Sequence, residues 1–188
     1  AETVPKEDLL TPAGFDGFAD PHVWGDPTLW AKTITPTAEA IMKAMPEEME
    51  RIRGNATDYV SELNSLHAWI EGRIAEIPEA NRILITSHDA FNYFGRAYGL
   101  DVIGIQGIST ESEPSMRDIQ QTADLIREKG VKAIFAETSV NASTIETIAK
   151  DTGIKVGGEL FSDSLGPAGA FETVGDDTYD VGTYIGTV

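Results

Sequence analysis

The stretch RILITSHDAFNYFGRAYGLDVIGI, residues 82–105, decides the fold because two short apolar segments in it flank a helical one. The first apolar segment, Arg82–Thr86, predicts a buried strand, and the helix after it is expected from about His88 to Tyr98. The second apolar segment, Asp101–Ile105, predicts another strand. Buried apolar strands separated by helices of this length are typical of βαβ units with parallel strands. The stretch therefore predicts an α/β fold.

The same alternation of strands and helices continues toward the carboxyl end. The expected elements are a helix with Ser112 as its N-cap, a strand, a second helix and a fourth strand: Glu113–Glu128, Val131–Phe135, Ala142–Lys150 and Lys155–Leu160. We expect these elements, together with residues 82–105, to form one lobe over residues 79–188. That lobe is a parallel sheet with flanking helices.

A long amphipathic helix is predicted immediately before this lobe, over residues 55–78. Its apolar residues recur at spacings of three and four and stop before Pro78: Tyr59, Leu63, Leu66, Ile70, Ile74 and Ile77. Residues 1–31 are rich in proline and glycine and have little periodicity, which predicts a loop. A helical pattern begins at about Pro36.

The composition excludes several classes of protein. The 188 residues include 31 acidic and 14 basic side chains, a formal net charge of −17, which argues against binding to a nucleic acid backbone. Because cysteine is absent, disulfides, thiolate metal sites and cysteine nucleophiles are excluded. No segment reaches the roughly 18 apolar residues of a membrane-spanning helix.

Three short segments carry side chains that can bind a metal ion: DPHVW with His22, SHDAF with His88, and FSDSL with Asp163. Two imidazoles and a carboxylate suit a divalent transition metal. His88 and Asp163 each follow a predicted strand, and ligands of parallel sheets bind at this carboxyl edge. Glu137 follows a strand at the same edge, where a supporting or structural role is expected. Taken singly, His22 also fits a surface loop, His88 a helix N-terminus, and Asp163 a turn.

Signatures of common enzymes are absent from the sequence. It contains no H-E-x-x-H, no G-x-S-x-G and no Walker loop. A metallohydrolase that uses the same three ligands to activate water stays open as an alternative, with Glu137 as the one reasonable general base. The third histidine, His67, lies on the long helix and is expected to be a packing residue or a residue at the solvent edge.

Five ordered segments together resemble one family. They are DPHVW, RILITSHDAFNYFGRAYGL, IQGISTESEPS, VKAIFAETSVNASTIETIAKDTGIKV and ELFSDSLGPAG. In this order they resemble the metal-binding solute receptors of ABC importers for zinc and manganese, the cluster A-I family. The resemblance runs from about Asp20 to the end of the chain.

The resemblance implies two α/β lobes that are joined by one long helix, with a metal ion bound in the cleft. Residues 1–54 would be a remnant of the first lobe, residues 55–78 the linker helix, and residues 79–188 the second lobe. The metal ligands would be His22, His88 and Asp163, and the cargo would be Zn²⁺ or Mn²⁺. The partner would be an ABC permease. The receptor would lie on the periplasmic or extracytoplasmic side, and a lipid anchor on the full-length protein is compatible with this location.

The sequence departs from the family's pattern in two ways. The family has a further histidine ligand from an earlier part of the first lobe, and the sequence has no histidine before Asp20. The family is also longer at the amino end, so the chain is expected to be a fragment with weaker metal binding. Exposed lobe surface is a candidate homodimer contact. An adhesin or interaction module on the same fold is a further alternative.

Overall fold

The chain divides into two units, Ala1–Glu76 and Ile77–Val188. This division is seen in a computed structural model that describes residues 3–12, 17–110 and 113–188. The first unit is helical, whereas the second contains strands and helices in alternation.

The first unit contains two long helices, α1 (Pro27–Ala44) and α2 (Met49–Ala75), which pack against each other. Helix α1 begins within the segment that was predicted to be a loop, because Asp26 and Pro27 form a helix start. The Asp26 carboxylate accepts a hydrogen bond from the backbone N–H of Thr28 at 2.8 Å, and proline at the first helical position needs no acceptor. The prediction of a loop up to residue 31 was therefore wrong. Short 3₁₀ turns make up much of the rest of the unit: Lys6–Asp8, Val23–Gly25 and Pro46–Glu48.

Helix α2 contains most of the predicted amphipathic face. Leu63, Leu66 and Ile70 are its buried side chains. The helix begins at Met49, six residues before the predicted start at residue 55, because the polar segment between these positions contains no proline. Its length therefore comes from helix-compatible polar residues as well as from the apolar face.

The second unit is built from parallel strands and helices, which confirms the predicted α/β class. Its elements in chain order are β1 (Ile83–His88), α3 (Asn92–Tyr98), β2 (Asp101–Gln106), α4 (Met116–Lys129), β3 (Ala133–Glu137), α5 (Ser143–Thr152), β4 (Lys155–Leu160), β5 (Phe171–Val174), β6 (Asp177–Asp180) and α6 (Tyr184–Thr187). Strand β1 pairs in parallel with β2, and β3 with β4, while β1 lies beside β3. The spatial order is thus β2-β1-β3-β4. Strands β5 and β6 form a separate antiparallel hairpin.

Strands β1, β2 and β3 each end later than the sequence predicted, and the extensions of β1 and β3 carry functional candidates. Strand β1 continues to His88, which is its last residue and does not open a helix. Strand β3 continues to Glu137. Both polar residues prolong their strands because each is buried and bonded to the other. Polar side chains at a strand end cannot be recognised from an apolar pattern alone.

Helix α4 begins later than predicted, and its cap is Ser115. Ser115 and Asp118 form a reciprocal capping box, in which each side chain accepts a hydrogen bond from the other residue's backbone N–H. Hydrogen bonds from Ser115 hold the pKa of the Asp118 carboxyl below its usual value. The predicted cap, Ser112, lies outside the described residues.

One apolar core holds the two strand pairs together. It consists of buried residues from β1, β2, β3, α4 and α5: Ile85, Ile105, Ile126, Ile134, Ala136, Ile145 and Ile148. Helices α4 and α5 therefore cover the same face of the sheet. Gly104 on β2 permits a close approach of the loop after β1, because an added Cβ would lie 2.5 Å from the backbone nitrogen of Asp89. This contact fixes the chain directly after His88.

Among the described residues, no helix combines the length and the apolar character that crossing a membrane requires.

Candidate metal centre

His88 is held in the second unit by the carboxylate of Glu137. The backbone N–H of His88 donates to Glu137 Oε1 at 2.7 Å, and the ring Nδ1 contacts Glu137 Oε2. Both side chains are fully buried. The Thr86 hydroxyl donates to the backbone carbonyl of His88 at 2.9 Å and so fixes the same strand end from the other side. The imidazole consequently cannot rotate without breaking contacts.

The Glu137 contact selects the tautomer of the His88 ring. An ionised carboxylate only accepts hydrogen bonds, so Nδ1 must carry the hydrogen that it donates to Oε2. In the neutral imidazole, the lone pair then lies on Nε2. A carboxylate on the far nitrogen of a histidine is the usual arrangement behind a metal ligand, because it orients the ring and makes it more basic.

Asp163 faces Nε2 of His88. It lies in the loop after β4, and its Oδ2 is 3.4 Å from His88 Nε2. Two ligand atoms that are each about 2.1 Å from a tetrahedral ion lie about 3.4 Å apart, so the spacing suits a shared metal ion. The Asp163 side chain is 35% exposed, whereas His88 is enclosed. Ser162, the residue before it, contacts the hydroxyl of Ser139 at 2.7 Å, which links this loop to the residues after β3.

The electrostatic surroundings of His88 favour a cation at this point. Burial by itself lowers the pKa of the imidazole. The hydrogen bond and the charge of Glu137 oppose burial, and Asp163 and Asp89 add smaller contributions. Together they raise the pKa above its ordinary value of 6.5. The same carboxylates that retain a proton on the ring would stabilise a bound metal ion in its place.

In the first unit, Asp20 holds His22 in nearly the same way. Asp20 Oδ1 accepts a hydrogen bond from the backbone N–H of His22 at 2.9 Å and lies 2.7 Å from its Nδ1. Asp20 is fully buried, and His22 is 3% exposed. The His22 ring also contacts the Trp24 ring edge-on, with centroids 5.3 Å apart. This contact orients the His22 ring so that Nε2 would be the atom to bind a metal ion.

The predicted ligands thus fall into two groups. His88 and Asp163 come together in the second unit, with Glu137 in a supporting position. His22 belongs to the first unit, and its grouping with the other two stays a prediction. Sequence reasoning did not identify Asp20 as a partner of His22. The available signal was a carboxylate two residues before a histidine in a proline-containing turn.

Comparison with known proteins places these features in a family. A family model described as "Zinc-uptake complex component A periplasmic" matches residues 2–187. The chain is 42% identical over 177 residues to the manganese-binding lipoprotein MntA of Bacillus subtilis, a match that covers 92% of the chain and 58% of MntA. It is 36% identical over 193 residues to the zinc-binding protein TroA of Treponema pallidum, covering all of the chain and 59% of TroA.

Solved structures agree with these matches. The periplasmic TroA structure from Treponema pallidum superposes with a TM-score of 0.90 at 34% identity, over 99% of the chain and 65% of TroA. The laminin-binding protein Lmb of Streptococcus agalactiae, described as bifunctional with adhesin and metal-transporting activity, superposes with a TM-score of 0.72 at 32% identity. That match covers 79% of the chain and 55% of Lmb.

The chain spans less than two thirds of the length of these relatives. The family match nevertheless extends over nearly all of its residues and includes all three predicted ligands. It confirms the family that the five sequence segments predicted. The chain belongs to the family of the periplasmic component A of zinc-uptake complexes, the metal-binding solute receptors of ABC importers.

Proposed function

We propose that the chain captures a divalent transition metal, zinc or manganese, for delivery to an ABC import permease. The observation that carries this proposal is the His88 arrangement. A buried carboxylate fixes the ring so that Nε2 lies 3.4 Å from Asp163 Oδ2. Two acceptor atoms at this distance repel each other unless a cation, either a proton or a metal ion, lies between them. His22 is the proposed third ligand.

Equilibrium dialysis with metal analysis tests the ligand set. We expect His22→Ala, His88→Ala and Asp163→Ala each to weaken zinc binding more than about 100-fold. This exceeds the usual effect of losing a residue that only hydrogen-bonds to a metal ligand. His67→Ala is the matched control, because it removes the remaining histidine from helix α2 and should leave zinc binding unchanged. Unchanged zinc binding by His88→Ala would exclude the proposed site.

The choice between the two metals follows from the ligands. Two imidazole nitrogens favour zinc, and the order of affinities for divalent metals places zinc above manganese. We therefore expect tighter binding of zinc in solution, while a cell could load manganese through its availability. Competition dialysis with both metals at equal concentration measures this preference directly.

We also propose that the chain binds metal without catalysing a reaction. Glu137 was the only reasonable general base for a hydrolase, but both of its oxygens contact His88. A carboxylate that orients a metal ligand in this way is poorly placed to take a proton from water. Screens of the zinc-loaded chain with esterase and phosphatase substrates should therefore detect no turnover.

The wider setting of the receptor is also a proposal. We assign residues 1–54 to a first lobe, residues 55–78 to a linker helix and residues 79–188 to a second lobe, and we place the protein outside the cytoplasmic membrane. Its partners would be the permease and the metal ion, without nucleic acid. A homodimer through exposed lobe surface would be detected by analytical ultracentrifugation.

Adhesion is a second candidate function, and the similarity to Lmb favours it. The two functions separate in one experiment. A chain that carries both His22→Ala and His88→Ala should lose metal binding and should retain binding to an extracellular matrix protein, if such binding exists. Loss of both activities together would show that adhesion depends on the metal.

A further inference from the structure

A polar crevice lies in the second unit at the carboxyl ends of the central strands. From the order β2-β1-β3-β4, the connection after β1 runs toward one edge of the sheet and the connection after β3 toward the other. Right-handed crossovers then place α3 on the opposite face from α4 and α5. Diverging connections of this kind leave a crevice at the sheet edge, where α/β proteins bind ligands.

The crevice has a volume of about 180 Å³ and is separated from the His88 ring by the alternation of the strand. Ser87 lies on the same face as Ile85, which packs under α4 and α5, whereas His88 points to the other face. Ser87 lines the crevice, but the Glu137 carboxylate does not. The cavity is therefore a site of its own next to the metal ligands.

The hydroxyl of Ser87 is the strongest sign of a ligand. Ser87 is 5% exposed, and its Oγ has no hydrogen-bond partner among the described residues. A buried hydroxyl without a partner destabilises the fold, and this cost is removed when a bound molecule supplies the missing hydrogen bond. The hydroxyl lines a cavity that has room for about six water volumes of 30 Å³ each.

The remaining lining defines the chemistry of that molecule. Among the described residues, its polar side chains are mostly hydroxyls and amides, which both donate and accept hydrogen bonds, with Glu113 as the one charged side chain: Gln106, Thr110, Glu113, Ser139, Asn141 and Thr144. An anion would lack a basic partner and would meet Glu113. A cation would lie near the amino end of helix α5, where the helix dipole repels positive charge.

We propose that this crevice binds a small, neutral, hydroxyl-rich molecule of about the size of a sugar alcohol. Each hydroxyl of such a ligand can donate and accept, which matches the lining, and it brings no charge to a protein of net charge −17. Ser139 lines the crevice and also contacts Ser162 beside Asp163. One hydrogen bond therefore joins the lining of the crevice to the loop that carries Asp163.

The test is an NMR titration of the ¹⁵N-labelled chain with xylitol in the presence of EDTA. We expect saturable shifts of the amide signals of Ser87, Gln106 and Thr144, with a Kd of about 1–10 mM, the range that a ligand of this size reaches. Ser87→Ala and Thr144→Val should each weaken xylitol binding about tenfold. Thr147→Val on the same helix is the control, since Thr147 is exposed and does not line the crevice.

Several outcomes would overturn the proposal. Xylitol could cause no localised shift, or it could bind equally well to Ser87→Ala and to Thr144→Val. Parallel titrations with sodium phosphate and magnesium chloride cover the charged alternatives, and localised shifts with either salt but not with xylitol would contradict a neutral ligand. Ser87→Ala should fold, because the hydroxyl that it removes makes no hydrogen bond to the part of the chain that the structure describes. If Ser87→Ala does not fold, xylitol binding by Thr144→Val tests the proposal in its place.

Discussion

Replacing Glu137 by glutamine tests the role of the buried carboxylate at almost constant side-chain volume. In the native chain both carboxylate oxygens accept, one from the backbone N–H of His88 and one from its Nδ1. Glutamine has a single acceptor oxygen and an NH₂ group in place of the second. If the oxygen stays on the backbone N–H, the NH₂ faces Nδ1 and forces the ring hydrogen onto Nε2. The metal would then meet an N–H in place of a lone pair.

The expected loss follows from this change of tautomer. Loss of the residue that hydrogen-bonds to a ligating histidine usually lowers metal affinity about 10–100-fold, which corresponds to about 1.4–2.7 kcal/mol. A buried hydrogen bond to a charged group is worth about 1.5–3 kcal/mol, a similar amount. We therefore expect Glu137→Gln to bind zinc about 10–100-fold more weakly than the native chain.

Competition with a fluorescent zinc chelator at neutral pH measures this loss. Glu146→Gln is the matched control, because it makes the same chemical change on the exposed face of helix α5 and should have no effect. Circular dichroism verifies that both variants are folded. A zinc affinity of Glu137→Gln within twofold of the native value would refute the argument that this carboxylate sets the tautomer of His88.

Further predictions concern His22, the pH dependence that follows from His88, and the helical unit. Asp20→Asn should weaken zinc binding about 10-fold or more by calorimetry, because it disturbs the His22 ring as Glu137→Gln disturbs His88; an unchanged affinity would contradict this. Zinc affinity should begin to fall while pH is still above 6.5, since the His88 pKa is raised and protons compete for Nε2; a decline that starts only below 6.5 would contradict this. The stability of the metal-free chain depends on pH in the opposite direction, because protonated His88 stabilises the fold. This stabilisation is complete below pH 6.5 and is lost as pH rises through the raised pKa. Melting temperatures measured in EDTA test this dependence. Leu63→Ala should destabilise the chain by about 2–5 kcal/mol in urea unfolding, because Leu63 is fully buried, whereas Trp69→Ala at a half-exposed position should cost much less.

The fold of the second unit could be predicted largely from its apolar segments. Strand β4 has the predicted bounds, Lys155–Leu160, and the parallel pairing of all four strands follows from the alternation of strands and helices. The ends of β1 and β3 were placed too early, since Ser87, His88 and Glu137 are polar but buried. The β5–β6 hairpin has no apolar alternation that would distinguish it from a loop, and Phe171 at its start is 65% exposed.

The candidate site could be predicted in part for similar reasons. His88 and Asp163 follow strands of two parallel pairs that lie side by side, so their proximity is a consequence of topology. The pairing of Asp20 with His22 depends on the conformation of a turn, with His22 at φ −77° and ψ 38°, and such a turn has no periodic signal in the sequence. The start of α1 was missed because proline was interpreted as a helix breaker, although after Asp26 it is a helix start.

The two proposed ligands in the second unit, His88 and Asp163, differ in how easily each could leave a metal ion. The His88 ring cannot swing away without breaking the contact of its Nδ1 with Glu137, and the Glu137 carboxylate is itself held by the backbone N–H of His88. We therefore expect the ring to keep its position when an ion binds or leaves. Asp163 lies in a loop and is partly exposed, and it can exchange its contact for water at little cost. We expect the Asp163 carboxylate to control the rate at which metal ions bind and leave at these two residues. The His88 imidazole would keep its position while successive ions bind and leave.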